Sequence, residues 1–222
     1  VTRVKICGIK RVETLMLLKE LAVDYVGFVF APSKRIVDAP TAKMLLSAVP
    51  DHPPAVGVFV NPSLAELDAV LEQVPLAVIQ LHGQETPAYC QEVRERFSLP
   101  VWKALAVGGE GDAAAEIMRY ADTVDAFLFD TYDPSQAGGT GKRFSWEHIP
   151  HLQEACKEKK CIVAGGINVG NVTELVNRYQ AGVIDVSSGV ETDGEKDAEK
   201  IKTLVERVKA HEGNNDNYAN RA

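Results

Sequence analysis

No stretch of this 222-residue chain approaches the roughly 18 to 20 consecutive apolar residues of a membrane span, and its first ten residues lack the apolar core of a secretory signal. The four cysteines, Cys7, Cys90, Cys156 and Cys161, form no CxxC pair and have no paired histidines nearby, which removes a disulfide framework and a zinc site from consideration. No run of Lys or Arg makes a basic stripe and the formal charge is −7, so neither nucleic acid nor an anionic membrane is an expected partner. The dinucleotide fingerprint GxGxxG is missing after the first strand, where the chain reads Cys7-Gly8-Ile9-Lys10. What remains is an enzyme-sized chain of a reducing, cytoplasmic setting, 45% apolar and able to bury a sizeable core.

Short β-rich apolar runs alternate with longer amphipathic stretches from end to end. The predicted strands are 3–7, 24–30, 55–60, 77–82, 100–107, 126–130, 161–166 and 183–189. Helical patterns occupy 12–22, 41–49, 63–74, 86–97, 112–121, 171–179 and 197–211, with Asn61-Pro62-Ser63 and Thr86-Pro87 as start signals. Eight strand–helix units force a parallel sheet, and eight close most economically as a single-domain (β/α)8 barrel of the TIM type over residues 1–211. The polar, aperiodic residues 212–222 read as a disordered tail.

In such a barrel the chemistry sits at the C-terminal ends of the strands. Strand alternation with Val4 and Ile6 outward turns Lys5 and Cys7 inward; by the same rule Gln80 and His82, Leu128 and Asp130, and Asp185 and Ser187 face the interior. Lys103 is also assigned inward, where it and Lys5 would balance carboxylates such as Asp130. Each of these residues has a plain structural reading beside the chemical one: Cys7 as a small buried hydrophobe, Asp130 as a helix cap, His82 as a hydrogen-bonded rim residue, Arg35 as a solvated charge rather than a fork for a carboxylate.

The glycine clusters are more specific. Gly165-Gly166 ends the seventh strand and Ser187-Ser188-Gly189 the eighth, the two loops that most often hold phosphate in this fold, here with backbone N–H groups and a short helix expected after Gly189. A third cluster, Gly138-Gly139-Thr140-Gly141, follows Asp130; it lacks the spacing of a P-loop and suits either a lid or a surface loop.

These segments together resemble a known family. KICGI, GFVFAPSKR, GVFVN, VIQLHG, WKAL, FLFDT with GGTGKRFSW, VAGGIN and IDVSSGVE, in this order along the chain, are similar to the phosphoribosylanthranilate isomerases of tryptophan biosynthesis. The resemblance implies an aldose–ketose isomerase of the Amadori type that needs no cofactor and no metal. It would convert N-(5′-phosphoribosyl)anthranilate to 1-(o-carboxyphenylamino)-1-deoxyribulose 5-phosphate. It implies Cys7 as general base, Asp130 as general acid, Arg35 on the anthranilate carboxylate, and Gly165, Gly166, Ser187, Ser188 and Gly189 on the phosphate. Asp185 would meet a sugar hydroxyl, His82 would line the substrate site, and the loop around Gly138 to Gly141 would cover it. The partner is then a small molecule carrying phosphate and carboxylate, and the expected state is a monomer, with a homodimer open.

The chemistry makes demands of its own. Opening the furanose needs a proton on the ring oxygen, hence a partly protonated Asp130, and removing the C2′ hydrogen needs a thiolate at Cys7, with Lys5 a candidate to favour it. A histidine-pathway isomerase, with aspartate in place of Cys7, and a phosphate-binding barrel without catalysis are the alternatives.

Overall fold

The computed structural model describes residues 1–108, 112–131 and 145–219, with side chains as far as residue 210. Eight parallel strands, β1 (Arg3–Cys7), β2 (Tyr25–Val29), β3 (Ala55–Phe59), β4 (Val78–Leu81), β5 (Val101–Val107), β6 (Ala126–Thr131), β7 (Lys160–Val163) and β8 (Val183–Val186), pair in sequence order, and β8 closes on β1. Around them lie α1 (Val12–Glu20), α2 (Ala39–Ala48), α3 (Leu64–Leu71), α4 (Pro87–Phe97), α5 (Ala113–Tyr120), α6 (Ile149–Cys156), α7 (Val172–Tyr179) and α8 (Ala198–Ala219). This is the (β/α)8 barrel expected. Among the described residues no helix is long and apolar enough to cross a membrane.

The strands are legible because each is covered on both faces, so apolar residues run almost without interruption. One face packs on the helices: Val4, Ile6, Phe127 and Phe129 belong to that outer core. The other fills the barrel with Tyr25, Val56, Val78, Trp102, Ala104, Leu128 and Ile162, and the Tyr25 and Trp102 rings meet edge to face at 5.0 Å. Helix starts follow local chemistry. Ser63 and Glu66 form a reciprocal capping box on α3, and Thr86 caps α4 with Pro87 in its first turn.

Four expectations need correction. Helix α6 was not predicted: its eight residues bury Ile149, Leu152 and Cys156, with Ala155 partly buried against the core, too short a period to stand out beside Pro150. After β8 the chain forms a hairpin, β9 (Glu191–Thr192) and β10 (Glu195–Lys196), whose turn residues Asp193 and Gly194 have φ of 51° and 82°. The Asp-Gly pair was its sequence signal. Backbone helix in α8 continues to Ala219, past the boundary set at His211, since each residue added to an existing helix gains a hydrogen bond. Finally, Lys103 faces outward, because Trp102 and Ala104 take the barrel interior; its Nζ reaches Glu85 at 3.0 Å and the Gly83 carbonyl at 2.7 Å, not Asp130.

Candidate active site

At the C-terminal mouth of the barrel a cavity of about 350 Å³ brings together Cys7, Arg35, Gln80, His82, Asp130, Gly165, Gly166, Asp185, Ser187 and Ser188. Alternation on β1, β4, β6 and β8 therefore turned Cys7, Gln80, His82, Asp130, Asp185 and Ser187 to the correct face, and failed only for Lys103 on β5. A larger groove of about 810 Å³ adjoins it and shares Ala31, Pro32 and Val60, but includes neither Cys7 nor Asp130. Residues Gly138, Gly139, Thr140 and Gly141 lie outside the described residues.

Cys7, the last residue of β1, is 8% exposed. Gly27 on the neighbouring strand makes room for it: a β-carbon there would stand 2.6 Å from Cys7 Sγ. Burial pushes the Cys7 thiol above its ordinary range and Asp185 adds to this, against the lowering effect of Lys5 and Lys196. The expectation that the site favours thiolate is thus corrected: desolvation outweighs the nearby cations. Lys5, fully buried, donates to Asp185 Oδ2 at 2.9 Å and Gln80 Oε1 at 3.0 Å. Burial pushes the Lys5 ammonium down, but the Asp185 carboxylate and Cys7 more than offset it and hold it above its usual value. Among the described residues Asp185 Oδ1 is buried without a hydrogen-bond partner, a ready acceptor at the cavity wall.

Asp130 ends the inward face of β6. The Thr131 N–H donates to its Oδ1 at 2.8 Å, and His82 Nε2 stands 3.4 Å from its Oδ2. Lys5 fixes the orientation of this corner. Because the ammonium can only donate, Gln80 must turn its carbonyl oxygen to Lys5 and its amide nitrogen to His82 Nδ1, at 3.1 Å. An amide NH₂ only donates, so in the neutral ring Nδ1 accepts and Nε2 carries the hydrogen that faces Asp130. His82 thus acquires a place, beside the Asp130 oxygen that Thr131 does not reach.

Arg35, on the loop after β2, is 7% exposed and already forks onto a carboxylate, with Nε 2.7 Å from Glu191 Oε1 and Nη2 2.9 Å from Glu191 Oε2. Lys196 Nζ reaches Glu191 Oε1 at 2.7 Å. Burial alone would raise the Glu191 carboxyl, but hydrogen bonds and charge from Arg35 and Lys196 hold it at about 2. Gly8 makes room for Arg35: its φ is +86° and a β-carbon would stand 2.5 Å from Arg35 Cδ.

The two glycine-rich loops are in contact. A β-carbon at Gly189 would fall 1.8 Å from the Ile167 carbonyl oxygen, and one at Gly165, with φ +81°, would fall 2.6 Å from Asp130 Oδ1. The helical turn here is the 3-10 turn Ser188–Val190, which contains Gly189 rather than following it, and α8 begins only at Ala198. Glu191 and Lys196 escaped sequence reasoning as site residues. Glu191 was part of a quoted loop, but nothing in the sequence ties it to Arg35, 156 residues away.

Residues 4–207 match the family model of N-(5′-phosphoribosyl)anthranilate isomerase. An enzyme of that name from Brevibacillus brevis is 73% identical over 221 residues, covering 100% of both chains. Among solved structures, a phosphoribosyl anthranilate isomerase in complex with reduced 1-(o-carboxyphenylamino)-1-deoxyribulose 5-phosphate aligns with a TM-score of 0.81 at 32% identity, covering 95% of this chain and 100% of that one. A structure of mutually generated monomers of the dimeric enzyme from Thermotoga maritima aligns with a TM-score of 0.79 at 33% identity, with the same coverage.

Proposed function

The chain belongs to the N-(5′-phosphoribosyl)anthranilate isomerase family, and from that premise we propose that Cys7 and Asp130 divide the acid–base work of its reaction between them. The reaction is the Amadori rearrangement of N-(5′-phosphoribosyl)anthranilate in tryptophan biosynthesis. The observation that carries the proposal is the convergence of β1 and β6 on one cavity, with a buried thiol on the first, a hydrogen-bonded carboxyl on the second, and two glycine-rich loops beside them.

Asp130 gives a proton to the furanose oxygen as the C1′–O bond breaks, and the anilino nitrogen lone pair forms the iminium. That cation acidifies the C2′ hydrogen, which Cys7 takes as thiolate. The electron pair left behind forms the enolamine, and tautomerisation places hydrogen on C1′ and the carbonyl at C2′. Every step moves a proton within the site or to solvent, and no electron leaves the substrate. Asp185 Oδ1, without a partner among the described residues, suits a sugar hydroxyl. The backbone N–H groups of Gly165, Gly166, Ser187, Ser188 and Gly189 suit the phosphate, where dipoles rather than a side-chain cation offset the charge.

Arg35 binds the anthranilate carboxylate through the donors that Glu191 leaves, since Glu191 engages only two of the five N–H groups of the guanidinium. Arg35→Lys keeps a cation for Glu191 and removes the fork, so KM should rise about tenfold with a smaller change in kcat. Steady-state isomerisation assays on freshly generated substrate measure this, and an unchanged KM would remove Arg35 from the substrate site.

The domain reading takes 1–211 as one barrel unit and 212–222 as a C-terminal tail; among the described side chains of α8, Ile201, Leu204, Val205 and Val208 are buried. The state proposed is a monomer, with a homodimer open. The four cysteines are free, in keeping with a cytoplasmic setting.

A further inference from the structure

We propose that Lys196, carried to the barrel mouth by β10 and anchored by Glu191, is a positioning residue that supplies the uncompensated positive charge beside Cys7. The proposal rests on the reading of Cys7 as proton acceptor.

Lys196 has a side chain only 5% exposed. Its Nζ donates to the Ser187 carbonyl at 3.0 Å and to Glu191 Oε1 at 2.7 Å, with Ser187 Oγ at 3.2 Å. Ser187 directly follows β8, where Val186 pairs with Ile6 of β1, and its hydroxyl donates to the Cys7 carbonyl at 3.0 Å. The ammonium is therefore fixed to the residue beside Cys7 across one strand spacing, about 4.8 Å.

A charge count separates it from the other lysine near the thiol. The groups around Cys7 are Lys5 on β1, Asp185 on β8, Arg35 on the loop after β2 and Lys196 on the hairpin, with His82 and Asp130 across the mouth and Glu191 bonded to Arg35 and Lys196. Lys5 is offset in part by its own partner, Asp185, at 2.9 Å, and also hydrogen-bonds Cys7. Glu191 instead serves two buried cations, accepting from Arg35 through both oxygens and from Lys196 through one. One carboxylate against two cations leaves a net positive charge on the Cys7 side of the mouth. Lys34, 3.9 Å from Glu191 and mostly exposed, adds to the same sign. The role first offered to Lys5 is thus shared with Lys196, on a hairpin outside the barrel sheet.

A lysine that merely pins the hairpin would make the same hydrogen bonds, so the test must read charge. Lys196→Gln keeps a donor for Ser187 and loses the charge; Lys196→Arg keeps the charge. Thermal unfolding checks each fold, and Lys196→Met takes the place of the glutamine variant should that one not fold. The ionisation of Cys7 is followed by the ultraviolet absorbance of its thiolate, each protein measured against the same chain carrying Cys7→Ser, and the pH profile of kcat/KM is recorded in parallel. In Lys196→Gln the Cys7 titration should move up by about one pH unit, kcat/KM near neutrality should fall about tenfold and recover as pH rises, and Lys196→Arg should stay close to the parent. A Cys7 titration that does not move in Lys196→Gln, or moves alike in the glutamine and arginine variants, overturns the proposal. A titration that moves as stated while the kcat/KM profile stays in place upholds the charge assignment and overturns Cys7 as the base.

Discussion

Asp130→Asn is expected to lower kcat by at least about 10²-fold, because a positioned general acid contributes 10²- to 10⁴-fold and the amide cannot donate to the ring oxygen as a carboxylic acid does. The substitution is nearly isosteric. Its oxygen can still accept from the Thr131 N–H, as Asp130 Oδ1 does at 2.8 Å, and the backbone of Gly165, whose lack of a β-carbon leaves space for Oδ1, is untouched. Binding of a product analogue should therefore survive while turnover falls. Single-turnover rates and analogue affinity measured together separate the two, and a kcat within a few-fold of the parent would show that the ring opens without this residue.

Cys7→Ser should cost as much and for a different reason. Serine is smaller and meets no obstacle at Gly27, but its hydroxyl stays protonated throughout the accessible pH range, so the base is lost. Cys7 itself is held above the ordinary thiol range, first by burial and then by Asp185, with Lys5 and Lys196 opposing. The active form is the deprotonated one. In the parent kcat/KM should therefore rise with pH from neutrality toward the raised Cys7 value, and in Cys7→Ser that rise should disappear along with at least about 10²-fold of the neutral rate. A serine variant that keeps the parent's alkaline rise would assign the titration to another group.

Both variants depend on features that were unequally visible in the sequence. The eight strands were legible because barrel strands, covered on both faces, are nearly continuous apolar runs, and on β1, β4, β6 and β8 the twofold alternation carried Cys7, His82, Asp130 and Ser187 to the correct face. The same rule failed on β5, where Lys103 reads equally well in either register and tertiary pairing with Glu85 decides. Helix α6 was lost through brevity, and the β9–β10 hairpin because two-residue strands carry no period, although Asp193-Gly194 announced its turn. The contacts that organise the mouth are long-range. Arg35 with Glu191 and Lys5 with Asp185 join residues 156 and 180 positions apart, and no local pattern encodes them. The need for glycine at position 8 is equally non-local: the Arg35 side chain that fills the place of its missing β-carbon lies on the next loop.

The assignment of acid and base to opposite strands is tested most directly with substrate deuterated at C2′. If Cys7 removes that hydrogen, Cys7→Ser makes the removal limiting and should express a full primary isotope effect on kcat. Asp130→Asn makes ring opening limiting and should express little or none. An isotope effect that appears in Asp130→Asn and is absent in Cys7→Ser would contradict the roles given to both residues.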